Sequence, residues 1–260
     1  MQQFYYRLAE RLSNLVGLKP RHLFPSPSKY FLLRKLVRCL NESTGMSIGI
    51  DVACADFKYR DLFKTDRYVG IDLDKNNLER GLKLHAKVSD IGVLANLLHL
   101  ESTPLVADVV VSTHTIASLP KEKREDGVKL LAAAVMPNGT LFLNLPSGTD
   151  SADLDRYLRM RFGLVVRMVY GNQFFMRVEN YFSYKTGSKN PLALATIGTA
   201  SIVCYLLSYL EEIPLIRKGG AYTIYWCRNR KSDEIEARVS SLKCLSSIPS
   251  VEYGCSDTSS

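Results

Sequence analysis

The sequence lacks any cysteine pattern of the kind that binds metal. Its six cysteines stand at 39, 54, 204, 227, 244 and 255. None forms a CxxC pair and none has a histidine at zinc spacing, which excludes zinc-finger and zinc-ribbon classes. They read as reduced, mostly buried thiols of a cytoplasmic protein, and no metal site is expected. A G-x-G-x-x-G fingerprint is also missing, which argues against a nicotinamide-binding domain. Charges interrupt the apolar positions of the N-terminal stretch, so it does not read as a secretory signal. There is no dense basic run and no basic motif interleaved with aromatics. Nucleic acid is therefore not an expected partner, although the formal net charge is +8.

What is present is enough apolar residue to build a core. The 260 residues are 46% hydrophobic and 23% charged, which suits one α/β domain with decorations. From Ile48 onward short apolar runs alternate with helix-like segments. The runs are IGIDVA, RYVGIDLD, AKVSDI, ADVVVST and GTLFLNLP, followed by LVVRMVYG and AYTIYWCR. Runs that stay apolar without period-two alternation predict parallel strands covered on both faces. The third strand is expected to end near Asp90, with a helix over about 91–99. Residues 1–45 read as a helical N-terminal extension, with Ser28 as a helix cap. Residues 46–230 read as the main domain, with a helical insertion at about 185–218 before the last strand. The Ser-rich 231–260 reads as a flexible tail.

Residues 192–210 carry no charge and match a membrane span in length. Several hydroxyl side chains dilute their apolarity, and a single crossing would separate the last strand from its sheet. A buried insertion is favoured, ahead of a contact with a membrane surface and of a span.

The chemistry concentrates at strand ends. The first strand closes on Asp51 and runs into the small residues Ala53, Cys54 and Ala55, an arrangement that lets backbone approach a ligand. About 20 residues on, the second strand closes on Asp72, where a carboxylate accepts from ribose hydroxyls. Asp74 is the alternative if the register slips. Ser112 and His114 follow the fourth strand, at the edge where open α/β sheets bind ligands.

These segments resemble the motifs of class I S-adenosylmethionine-dependent methyltransferases. IGIDVACADFKYRDLF followed by RYVGIDLD resembles the first two motifs, in the form D-V-G-C-G-x-x-x-Y-R-x-L-F then Y-V-G-I-D. VSDI, ADVVVSTHTIASLP and VMPNGTLFLNLP resemble the next three, in order, over residues 46–147. The resemblance implies a doubly wound, mostly parallel, Rossmann-like sheet of seven strands with the last reversed. It implies S-adenosyl-L-methionine as cofactor. By position, Asp51 and the backbone of Ala53, Cys54 and Ala55 would line its methionine part, Asp72 its ribose, and Asp90 and Ile91 its adenine. Ser112 and His114 would face the donor methyl and the acceptor, with His114 as candidate base. Ala53, Ala55 and Phe57 stand where the family has loop glycines, and Ala117-Ser118 where it has Glu-His. Asn138 replaces a fifth-motif glycine.

The expected activity is methyl transfer to oxygen or nitrogen of a small-molecule, glycan or lipid-linked acceptor. The expected location is cytoplasmic, or peripheral at the inner face of a membrane through 192–210. Tyr170, Asn172, Phe174, Phe175 and Tyr181 serve either an acceptor wall or the core. The alternatives are a non-catalytic methyltransferase-like binding protein and an RNA or protein methyltransferase.

Overall fold

The computed structural model describes residues 25–43, 45–98, 105–177, 179, 200–231 and 252–254. The chain divides into two compact units, Val37–Met168 with Thr223–Ser260, and Met1–Leu36 with Val169–Tyr222.

The first of these units carries the sheet. Its strands are β1 (Ile48–Val52), β2 (Arg67–Asp72), β3 (Ile91–Leu94), β4 (Ala107–Ser112), β5 (Val135–Pro146), β6 (Phe162–Tyr170), β7 (Tyr222–Arg230) and β8 (Glu252–Gly254). Their spatial order is β6-β7-β5-β4-β1-β2-β3-β8. β1 to β5 pair in parallel. β7 runs against β6, because Lys231 N donates to Arg161 O at one end and Ala221 N to Gly171 O at the other. The fold is Rossmann-like, as the alternation of strands and helices predicts. In β4, Val109, Val110 and Val111 are all fully buried. Adjacent strand residues point to opposite faces, so both faces of the sheet are covered.

The connecting helices are α2 (Lys75–His85), α3 (Thr115–Ser118), α4 (Arg124–Ala133) and α5 (Ala152–Arg161), after an initial α1 (Pro27–Glu42). Asp74 caps α2 by accepting from Asn76 N and Asn77 N, and Ser151 caps α5 through Leu154 N. This occupies Asp74 as a helix cap.

Three sequence expectations are corrected. The third strand begins at Ile91 rather than ending near Asp90, so no helix spans 91–99. A four-residue apolar run reads equally well as helix or strand, and here Ile91–Leu94 finds partners in Val69–Asp72. Ser26, not Ser28, accepts from Lys29 N at the start of α1. Three tail residues, Glu252–Gly254, add an antiparallel edge strand to β3.

The other unit is built from the first part of α1, the exit of β6, and helical residues 173–177 and 200–207. Tyr170 is buried, stacked on Phe31 at 5.8 Å and tilted against Tyr222 at 5.6 Å. Glu211 is buried and accepts from Ser28 Oγ, Gly171 N and Asn172 N. Asn172 Nδ2 donates to Ile216 O. Tyr170, Asn172 and the buried Phe175 are thus explained by packing, whereas Phe174 is exposed. Tyr181 and residues 192–199 lie outside the described residues. Among the described residues no helix is long and apolar enough to cross a membrane.

Candidate active site

In a parallel sheet every strand delivers its C-terminal end to one edge. That edge gathers Asp51 and the loop after β1, Asp72 at the end of β2, Ser112 to Thr115 after β4, and Asn144 near the end of β5.

The loop after β1 has a specific backbone. Ala53, Ala55 and Phe57 all take left-handed conformations, with φ of 61°, 50° and 58°. The first two are positions where the resembled motif has glycine, and the third is where the wider family has one. The turn has kept its shape without the residue that adopts it freely. Its amides are turned toward β2. Ala53 N and Cys54 N donate to Ile71 O, at 2.7 and 3.1 Å, and Ala55 N donates to Asp72 Oδ2 at 2.8 Å. Asp72 Oδ1 accepts from Asp74 N at 2.9 Å. Each carboxylate oxygen of Asp72 has room for a further donor.

Asp51 is buried and accepts from Tyr68 Oη at 2.9 Å. Burial raises its carboxyl to about 7. Asp72 pushes the same way, while the Tyr68 hydrogen bond and Lys58 oppose the rise. Tyr59 is buried with them. Burial lifts its phenol to about 12, with a Thr113 hydrogen bond opposing and Asp51 adding to the rise. Neither Tyr59 nor Tyr68 was singled out from the sequence. The Y-R-x-L-F pattern was the available signal for Tyr59, and its neighbour Arg60 points to a different part of the fold.

Arg60 accounts for the displaced member of the predicted set. Asp90 is buried, and its Oδ2 accepts from Arg60 Nε and from Lys87 N. It precedes β3 and so lies a strand length, roughly 13 Å, from the edge that holds Asp72. Ile91 opens β3 and packs on the core. The structure does not bring Asp90 or Ile91 to the others. The segment that does reach the edge follows Leu94, the partner of Asp72: Ala95 N donates to Asp72 O, and Asn96 Oδ1 accepts from Leu98 N.

After β4 the Ser112 hydroxyl is buried and has no hydrogen-bond partner among the described residues. Thr115 Oγ1 donates to Val52 O, tying this loop to the first. His114 is exposed and left-handed, at φ 62°, and its N–H donates to Asn144 Oδ1 at 2.7 Å. Asn144 is buried and was missed from sequence, because nothing in FLNLP separates it from a strand residue. Asn138 has φ 60°, the left-handed conformation expected of an asparagine in a glycine position.

No family model matches the chain. No curated protein matches it either. Among solved structures it is similar to the N-methyltransferase NodS from Bradyrhizobium japonicum in complex with S-adenosyl-L-homocysteine. That match has 13% identity, 76% of this chain and 85% of the other covered, and a TM-score of 0.49. The plantazolicin methyltransferase BpumL, also in complex with S-adenosyl-L-homocysteine, matches at 11% identity over 86% and 90% of the two chains, TM-score 0.46. Magnesium protoporphyrin IX methyltransferase from Synechocystis with bound S-adenosylmethionine matches at 14% identity over 52% and 68%, TM-score 0.42. All three are methyltransferases. At these identities and TM-scores the likeness carries no argument about what this chain does.

Proposed function

We propose that the chain is an S-adenosyl-L-methionine-dependent methyltransferase. The observation that carries this reading is the loop after β1. It keeps the left-handed backbone at both motif glycine positions, 53 and 55, and at 57, and is latched to the Asp72 carboxylate, beside the buried Asp51.

The residues present fit the cofactor. Asp51 is a buried carboxyl held near neutrality by desolvation, and a cationic ammonium beside it would restore its ionised form. Asp72 retains acceptor capacity for ribose hydroxyls. Ser112 Oγ is a buried polar atom awaiting a partner. The segment after β3, at Ala95 and Asn96, takes the adenine-side place first expected of Asp90. A sulfonium methyl is already activated, so the protein's task is alignment of the acceptor atom for in-line displacement. For a hydroxyl acceptor His114 serves as general base, with Asn144 holding its backbone. The acceptor is a small molecule, a glycan or a lipid-linked precursor.

A non-catalytic methyltransferase-like binding protein is the second reading. It is favoured by the engagement of three successive loop amides with β2 and by Ala117-Ser118 in place of Glu-His.

Calorimetric titration of S-adenosylmethionine separates the two readings. Binding to the wild-type chain, weakened at least tenfold in Asp72→Ala, is the expected result. No binding to the wild type sinks the enzyme reading. Binding unaffected by Asp72→Ala sinks the ribose contact.

A further inference from the structure

The helical stretch described from residue 200 is inside out. Its inward positions are Ser201, Cys204, Ser208 and Glu211, all buried and spaced three or four residues apart. Its outward positions are Val203, Leu206, Leu210 and Ile213, and Leu206 is 62% exposed. A helix at a water-facing surface does the reverse, with apolar residues inward. The chain keeps turning beyond residue 207, since Tyr209 N donates to Leu206 O and Ile213 N to Leu210 O. The outward side chains therefore continue as one stripe. Leu215 extends it at 80% exposure.

The rim of the stripe is basic and aromatic. The guanidinium of Arg34 lies 3.7 Å from the centre of the Tyr209 ring, and Tyr205 Oη sits 3.0 Å from Tyr209 Oη. Glu212, the exposed carboxylate beside the stripe, is held by Arg34 and Lys35 at 2.9 and 2.7 Å. Glu211 is turned inward. The exposed Lys218 follows at the far end, while Arg217 lies over the Phe31 ring at 5.9 Å. Across the described residues of this unit six cations face three carboxylates, and the whole chain carries +8. Like charge disfavours a second copy as the occupant and favours an anionic one. Apolar side chains and tyrosines along the stretch, with cations on the neighbouring α1 and after Ile213, match a membrane–water interface.

We propose that the face formed by Val203, Leu206, Leu210, Ile213 and Leu215 docks peripherally on an anionic lipid surface. This extends the lipid-linked branch of the acceptor proposed above, and it uses a unit other than the one that carries the cofactor residues. Its failure and the failure of the enzyme reading are therefore separable.

The test is vesicle flotation of the full chain, on phosphatidylcholine alone and on phosphatidylcholine with phosphatidylglycerol. The chain floats with the mixed vesicles and remains below with the neutral ones. Leu206→Glu with Ile213→Glu lowers partitioning roughly tenfold or more. Lys218→Gln lowers it roughly fivefold, as added salt also does. Unchanged S-adenosylmethionine titration, or an unchanged melt if the wild type does not bind it, shows that the variants fold. Absence from the mixed-vesicle fraction overturns the proposal, as does flotation that the paired glutamates leave intact. Equal flotation on neutral vesicles overturns the choice of an anionic surface. Self-association in sedimentation that the paired glutamates abolish assigns the face to a second copy instead.

Discussion

Substituting glycine at Ala53 and Ala55 isolates the strain held in the loop after β1. Both alanines sit at left-handed φ, 61° and 50°, a conformation that costs an L-residue about 1–2 kcal/mol. Glycine removes that cost but adds backbone freedom to the unfolded chain, worth about 0.4–1 kcal/mol in the other direction. The net is a stabilisation of about 0.5–1 kcal/mol per site. Phe57 has the same backbone at φ 58°, yet its substitution has the opposite sign. Its ring is fully buried, edge-on to Tyr68 at 5.0 Å, and a Cβ on Gly70 would come within 2.5 Å of it. Truncating a buried phenylalanine costs about 3–5 kcal/mol, which relief of strain offsets only in part. Phe57→Gly therefore destabilises by about 2–4 kcal/mol. The assay is urea unfolding followed by Trp226, the single tryptophan, which is buried on β7. The double glycine variant raises the midpoint at unchanged slope and Phe57→Gly lowers it. A lowered midpoint for Ala55→Gly would refute the reasoning, because only a right-handed or extended residue 55 leaves glycine with its entropic penalty alone.

Asp51 makes stability fall as pH rises. Burial lifts its folded-state value to about 7, above the ordinary carboxylate range, so the neutral carboxyl is the form the fold favours. That contribution is complete below about pH 4 and is lost as pH rises through 7. Asp51→Asn should flatten this limb in thermal melts across pH 4–8, raising stability at pH 8 and changing little at pH 4. Arg60→Ala leaves the buried Asp90 unpaired and should cost about 3–5 kcal/mol. Arg60→Met with Asp90→Leu should cost less than either single change in a double-mutant cycle, while Asp90→Asn keeps S-adenosylmethionine binding. Asp150 accepts from Arg167, Thr223 Oγ1 and Tyr225 Oη, so Asp150→Ala leaves two hydroxyls without their acceptor and should cost about 1–3 kcal/mol in urea. Asn144→Ala frees the His114 N–H and should lower kcat without raising KM for S-adenosylmethionine, once an acceptor is in hand.

Much of the sheet was legible because its strands are short and apolar throughout. Ala107–Ser112 is the clearest case, with β-branched residues at consecutive positions and burial on both faces. Asp51 and Asp72 were legible because each ends such a run. The start of β3 was not, because a four-residue run has too little length to show a period. Reading AKVSDI as the strand carried Asp90 and Ile91 into the site by mistake.

The sequence alone determined the alternation of strands and helices and the acids at the ends of β1 and β2, since those follow from local patterns of apolar and charged residues. Tertiary structure decided what distant pairing alone can decide. Asp90 belongs to Arg60 because their burial leaves each needing the other's charge. Ala53 and Ala55 hold their left-handed backbone where Ile71 and Asp72 accept the amides of residues 53 to 55, and Phe57 holds its own with its ring buried against Tyr68. The uncharged run ending at Leu210 exposes Val203 and Leu206 because Ser201, Cys204 and Ser208 take the inward positions of the same helix. Composition counts those residues together, and only packing separates one face from the other.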